Sequence, residues 1–292
     1  MIQELFAKPL YIQLNFGILV GSALLVALMA LVPCFRRCVY GEGNTVSMWK
    51  LPDVPIFRGS NFPLTADYIL MLFYVASTTL LIGTTCLGLD SPPVTSESTD
   101  NQADLINIWI NVCCNFIIYL PLIIRYAIAS GFRFDIKFSH LAATILALFC
   151  IYAASITVSI SGLVKWITEN TGSPETQHAI QQITQETAAP LTILPIIVSA
   201  VIVAPIVEEI FFRGFVFNIL KKHAGILPAA LACGLFFGAV HISLVQCIIL
   251  TVFGIVQCFL YEHTRSILYP ILLHMLFNGI SMTALILFRQ AQ

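Results

Sequence analysis

"VIVAPIVEEIFFRGFVFNIL", residues Val201–Leu220, sets Glu208, Glu209 and Arg213 near the centre of an otherwise uncharged apolar run. A carboxylate deep in a bilayer costs about 2.5–3.5 kcal/mol on insertion scales, so a chain that keeps two there must compensate them. Glu209 and Arg213 are four residues apart, share a helix face and can pair. Glu208 points about 100° further round the axis and has no partner within its own helix. A structural ion pair needs one Glu and one Arg; the second Glu is surplus to it. A buried structural network or a helix–helix latch is the plainer alternative.

Working outward, the composition identifies the solvent. Of 292 residues, 58% are hydrophobic and 10% charged, with a mean hydropathy of +0.90; soluble domains carry about 25% charge. The net charge of -1 supplies no basic field for nucleic acid. Nine cysteines, Cys34, Cys38, Cys86, Cys113, Cys114, Cys150, Cys233, Cys247 and Cys258, have no regular spacing, and most sit in apolar runs as small hydrophobes. The first apolar run has only Lys8 as a nearby basic residue and reads as a retained span.

Apolar runs of about 20 residues predict an all-α, polytopic transmembrane helical bundle of about eight helices. The expected spans are Leu14–Phe35, Thr65–Leu89, Leu105–Ala129, Leu141–Val164, Pro190–Leu220, Ala229–Val245, Gln246–Tyr261 and Ile267–Phe288. The seventh, short and abutting the sixth, is the least secure. Arg36, Arg37, Lys50 and Arg58 follow the first span, Arg125, Arg133 and Lys137 adjoin the junction of the third and fourth, Lys221 and Lys222 follow the fifth, and Arg265 follows the seventh. Asp90–Asp104 and Thr168–Thr187 contain no Lys or Arg. The positive-inside rule then places the basic loops in the cytoplasm and both termini outside. Within 165–189, "PETQHAIQQITQET" reads as a polar surface helix. Neither polar loop is large enough for a second domain, so residues 1–292 are expected to form one integral membrane domain.

The late spans add polar groups. "FFGAVH" sets Phe237 and His241 four apart, and "HMLFN" sets His274 and Asn278 four apart. Counted from the expected cytoplasmic helix ends, Glu208 and His241 lie about 18 Å deep, Asn278 about 16 Å and His274 about 10 Å. They are therefore able to meet. Gly234 and Gly238 form a GxxxG face, and Ala200, Ala204 and Gly214 are small; Pro195 and Pro205 can bend the fifth span. Ordinary packing explains such small residues equally well. A carboxylate and a histidine can together activate water, while a second histidine and an amide can donate to a developing oxyanion. Such a set hydrolyses a peptide bond. Glu208, His241 and His274 are also residue types that ligate zinc, and the residues themselves do not choose between the two.

"EEIFFRG" (Glu208–Gly214), "FFGAVH" ending at His241 and "HMLFN" (His274–Asn278) resemble, in order, the EExxxR, FxxxH and HxxxN motifs of the CAAX-protease and bacteriocin-processing family of intramembrane proteases. The resemblance covers residues 190–288. It implies a helical bundle with a membrane-buried site open toward the cytosol, in which Glu208 and His241 activate water, His274 and Asn278 hold the oxyanion, and Glu209 and Arg213 order the site. Of the two mechanisms discussed for the family, direct glutamate–water catalysis is favoured here over zinc, so no cofactor is expected. The implied protein is an endopeptidase acting on a membrane-associated protein or peptide, with the bilayer as its other partner. The absence of an N-x-Ser/Thr site and of a retention signal favours a bacterial inner membrane. The alternative class is a transporter or scaffold using Glu208 and Glu209 as charge carriers; the absence of an internal repeat counts against it.

Overall fold

The computed structural model describes residues 8–40, 64–87, 117–125, 136–173, 194, 197–241 and 243–290. Among these residues the secondary structure is entirely helical. The helices are α1 (Leu10–Tyr40), α2 (Leu64–Leu87), α3 (117–125), α4 (Phe138–Ile160), α5 (Leu163–Thr171), α6 (Ala204–Glu209), α7 (Asn218–Ala224), α8 (Ile226–Ala239), α9 (Leu244–Thr264) and α10 (Leu268–Gln290). Two π-helical stretches, Ser199–Val203 and Ile210–Phe217, flank α6. With α7 they make one continuous helical rod from Ser199 to Ala224.

Four described helices are long and apolar enough to cross a membrane: Leu10–Leu31, Phe138–Ile160, Leu244–Thr264 and Leu268–Leu287. Their outer faces carry exposed Leu28, Leu146 and Phe149, the surface expected where a backbone already satisfied by its own helix meets lipid. The protein is an integral, multi-pass helical bundle. The third span is described only over 117–125, and the expected surface helix within 165–189 lies outside the described residues.

The boundaries correct the expected spans at two points. The sixth span is the short one: α8 has 14 residues, about 21 Å, whereas α9 has 21, about 32 Å. The break falls at 240–243, where the His241 N–H turns back to the Gly238 carbonyl and Ser243 caps α9 by accepting from Gln246 N. Apolar residues run through this break, so hydropathy alone could not see it. The fourth span ends at Ile160, and left-handed Gly162 starts α5, which takes up the first residues of the expected loop.

The centre of the molecule is aromatic. Phe212, Phe217, Phe236, Phe237, Phe253 and Tyr269 are buried against one another and against the Ser199–Ala224 rod. The α8 and α9 backbones meet at glycines: a Cβ on Gly234 would stand 2.9 Å from the Thr251 carbonyl, and one on Gly254 would stand 2.8 Å from the Gly234 Cα. Without side chains between them, the two helices bring the Gly254 carbonyl into reach of the rod.

Candidate active site

Glu209 is the hub. It is fully buried on the rod, and its Oε1 accepts from Arg213 Nη1 at 3.0 Å, from His274 Nδ1 at 2.8 Å and from Gln257 Nε2 at 3.4 Å. Arg213, also fully buried, spends Nη2 on the Gly254 carbonyl at 3.1 Å and lays its guanidinium over the Phe237 ring at 4.7 Å. The pair expected from its spacing thus forms, and it ties the rod to α9 and α10 as well as to itself.

Gln257 is the residue the sequence did not single out. Fully buried on α9, it bridges Glu209 to the Pro270 carbonyl of α10 at 3.0 Å. The only signal was one polar residue in an apolar span, which is too common to interpret.

The two histidines are held in opposite ways. His241 donates from Nδ1 to the Phe237 carbonyl at 2.7 Å, which directs Nε2 as the acceptor. His274 donates from Nδ1 to a carboxylate. Phe237 stands between them, its ring centroid 5.0 Å from that of His241 and 5.8 Å from that of His274. The aromatic residue four before His241 is therefore the platform for both imidazoles and for Arg213.

Asn278 is fixed from the rod. In the π-helical stretch the Ala204 N–H turns to the Ser199 carbonyl, and the next residue, Pro205, has no N–H to give Ala200. Asn278 Nδ2 donates to the Ala200 carbonyl at 2.7 Å instead. Glu208 is half-buried; its Oε2, like Oε2 of Glu209, is sequestered from solvent and accepts no hydrogen bond among the described residues. The carboxylate lies within electrostatic reach of His241, as does His274. Of the six sequence-predicted residues, Glu209, Arg213 and His274 are in direct contact, Glu208 and His241 lie within electrostatic reach of each other, and Asn278 holds the rod at Ala200, eight residues before Glu208. Among the described residues, no three His, Cys, Asp or Glu side chains group at metal-ligand range; His274 Nδ1 is committed to Glu209, leaving its Nε2, Glu208 and His241 as the ligand atoms a zinc would have to use.

Residues 190–280 match the family described as "Type II CAAX prenyl endopeptidase Rce1-like". The chain is also 34% identical over 128 residues to a Bacillus subtilis (strain 168) protein named "Putative membrane peptidase YdiL", a match covering 44% of this chain and 50% of that protein. The chain thus spans about half the length of that curated relative. No solved structure matches. The matched residues 190–280 span all three motifs, and this part of the chain is similar to the Rce1-like type II CAAX prenyl endopeptidases.

Proposed function

We propose that the protein is an intramembrane endopeptidase that hydrolyses a peptide bond of a membrane-associated protein or peptide with water activated by Glu208 and His241. The observation that carries this is the division of labour between the adjacent carboxylates: fully buried Glu209 holds Arg213, His274 and Gln257 through its Oε1, whereas half-buried Glu208 accepts no hydrogen bond at Oε2 among the described residues and lies within electrostatic reach of His241.

Water loses a proton to Glu208, assisted by His241 Nε2, as its oxygen attacks the scissile carbonyl carbon. The tetrahedral oxygen is held by His274 and by the N–H of Asn278 not spent on Ala200. Because His274 gives its Nδ1 proton to Glu209, donation from Nε2 requires the doubly protonated ring, and such charge-assisted donors are the strong ones. The site then holds two negative carboxylates against two positive groups, Arg213 and His274. Neutrality in an apolar interior avoids leaving a charge uncompensated. The proton on Glu208 finally passes to the leaving amine as the C–N bond breaks.

The basic loops support a site open toward the cytosolic side, and a bacterial inner membrane is the location we infer for it. Purified protein in lipid, incubated with a peptide library beside Glu208→Ala and read by mass spectrometry, tests the reading. Cleavage by the wild type alone is expected; identical cleavage by both would overturn it. A charge-carrying transporter would instead tolerate His274→Ala and Asn278→Ala.

A further inference from the structure

α4 ends at Ile160, but the exposed apolar surface it presents does not. The helix has 23 residues, about 34 Å, enough to cross a hydrocarbon core of about 30 Å. It begins beside Lys137, so its Ile160 end belongs to the leaflet opposite the basic loops. Ile156 and Ile160 lie exposed along its last turns, Ile160 by 80%. Gly162, at φ 77°, then turns the chain into the nine-residue α5, where Leu163 and Trp166 are the next exposed apolar side chains.

Three faces divide α5. Ile167, 6% exposed, forms a buried cluster with Leu244 and Val245 of α9, and Val164 packs against it together with Tyr11 and Ile18 of α1. Lys165 and Glu169 stand in the open and pair at 3.8 Å. Leu163 and Trp166 make the third face, Trp166 with 60% of its surface uncovered. At about 100° per residue, the three pairs point about 100–150° apart. The protein covers the first and water suits the second; in water the third would leave a leucine and an indole without apolar contact. A helix with this division fits the boundary between acyl chains and headgroups. Tryptophan is enriched at that depth because its ring is apolar and its N–H polar. The seat of Ile167 matters to the site: Leu244 and Val245 open α9 directly after the 240–243 break that begins at Val240 and His241.

We propose that α5 is an interfacial helix, docked through Leu163 and Trp166 on the acyl–headgroup boundary of the leaflet opposite the basic loops, and that its Ile167 seat holds the α8–α9 turn that carries His241. The lipid contact stands on the faces of α5 alone. Only its consequence for turnover rests on the assignment of His241 to water activation.

Trp49→Phe with Trp109→Phe leaves Trp166 as the sole tryptophan. In phosphatidylcholine vesicles brominated at successive chain depths, bromines near the headgroup should quench its fluorescence most, and aqueous iodide should quench little. Quenching by iodide without quenching by any brominated lipid would put α5 in water and overturn the proposal; strongest quenching by bromines at the chain ends would overturn it too. Trp166→Asp should then loosen the turn. Amide exchange across residues 240–246 should rise about tenfold or more, the scale of taking one large apolar side chain out of its contact, and kcat should fall. Lys165→Ala, on the wet face, should leave both unchanged. Unchanged exchange in Trp166→Asp would overturn the link to the turn, whatever happens to kcat. Raised exchange with unaltered kcat would keep the interfacial helix and overturn the role of His241 instead.

Discussion

His274 Nδ1 and Glu209 Oε1 are 2.8 Å apart across 65 residues of chain, one on α10 and the other at the end of α6. This bond makes the second glutamate of the pair a scaffold. It sets the orientation of the imidazole, and among the described residues Arg213 and Gln257 share the same oxygen. Glu208, one residue earlier, makes none of these bonds, and its buried Oε2 has no hydrogen-bond partner among the described residues.

The two glutamates should therefore fail differently. Removing one partner of a buried charge pair costs about 3–5 kcal/mol, so Glu209→Ala and Arg213→Ala should both lower Tm in detergent strongly and lose activity with it. Glu208→Gln should abolish turnover while leaving Tm unchanged or raised, because it removes a half-buried charge that no protein group pairs. Thermal unfolding and turnover measured on the same preparations decide it, and equal Tm losses in all three would make Glu208 structural.

Asn278→Ala carries two costs that can be separated. Loss of its bond to the Ala200 carbonyl should destabilise by about 1 kcal/mol. Loss of an oxyanion donor should lower turnover by about 10²–10³ with KM little changed. Asn278→Asp should be worse on both counts, since a carboxylate faces the Ala200 carbonyl and the developing oxyanion with repulsion. Steady-state kinetics normalised to folded protein is the measurement, and near wild-type turnover in Asn278→Ala would confine the residue to the interhelical bond.

Gly238→Ala should be among the most damaging small changes. The added Cβ would meet the Cys247 carbonyl and stand 2.5 Å from Thr251 Oγ1, with the Thr251 amide nitrogen at 3.0 Å. Backbone on two sides cannot yield, and α8 must move off α9 at an overpacking cost of about 1–3 kcal/mol or more. Because Phe237 adjoins Gly238 and carries both imidazoles, activity should fall beyond the loss of folded protein. Gly279→Ala, whose Cβ would meet only Val201 Cγ1 at an ordinary 3.6 Å, should be tolerated in a parallel melt and assay.

If Glu208 and His241 act directly on water, active protein should contain far less than one zinc per chain by elemental analysis, and chelators should leave turnover intact. Stoichiometric zinc, with activity lost to a chelator and restored by the metal, would route the chemistry through a metal-bound water instead.

Composition and hydropathy sufficed for the solvent and the helical class, because burying about 20 successive apolar residues is a local property of the chain. The spacing of Glu209 and Arg213 sufficed for their pairing, since i,i+4 geometry lies within one helix. The ordered motifs also pointed to His241, His274 and Asn278. Other features depended on contacts between helices. The break at 240–243 follows from the turn of the His241 N–H to Gly238 and the Ser243 cap, not from any drop in hydropathy. The partner of His274 became Glu209 because glycine contacts seat α9 close to α8 and the rod, and α10 then brings its imidazole to that carboxylate. Asn278 went to Ala200 because Pro205 withholds the N–H that the π-helical register would have used. Gln257, an ordinary residue in an apolar span, gained its place only when separate helices packed, because a hydrogen-bond partner 48 residues away leaves no periodic trace in sequence.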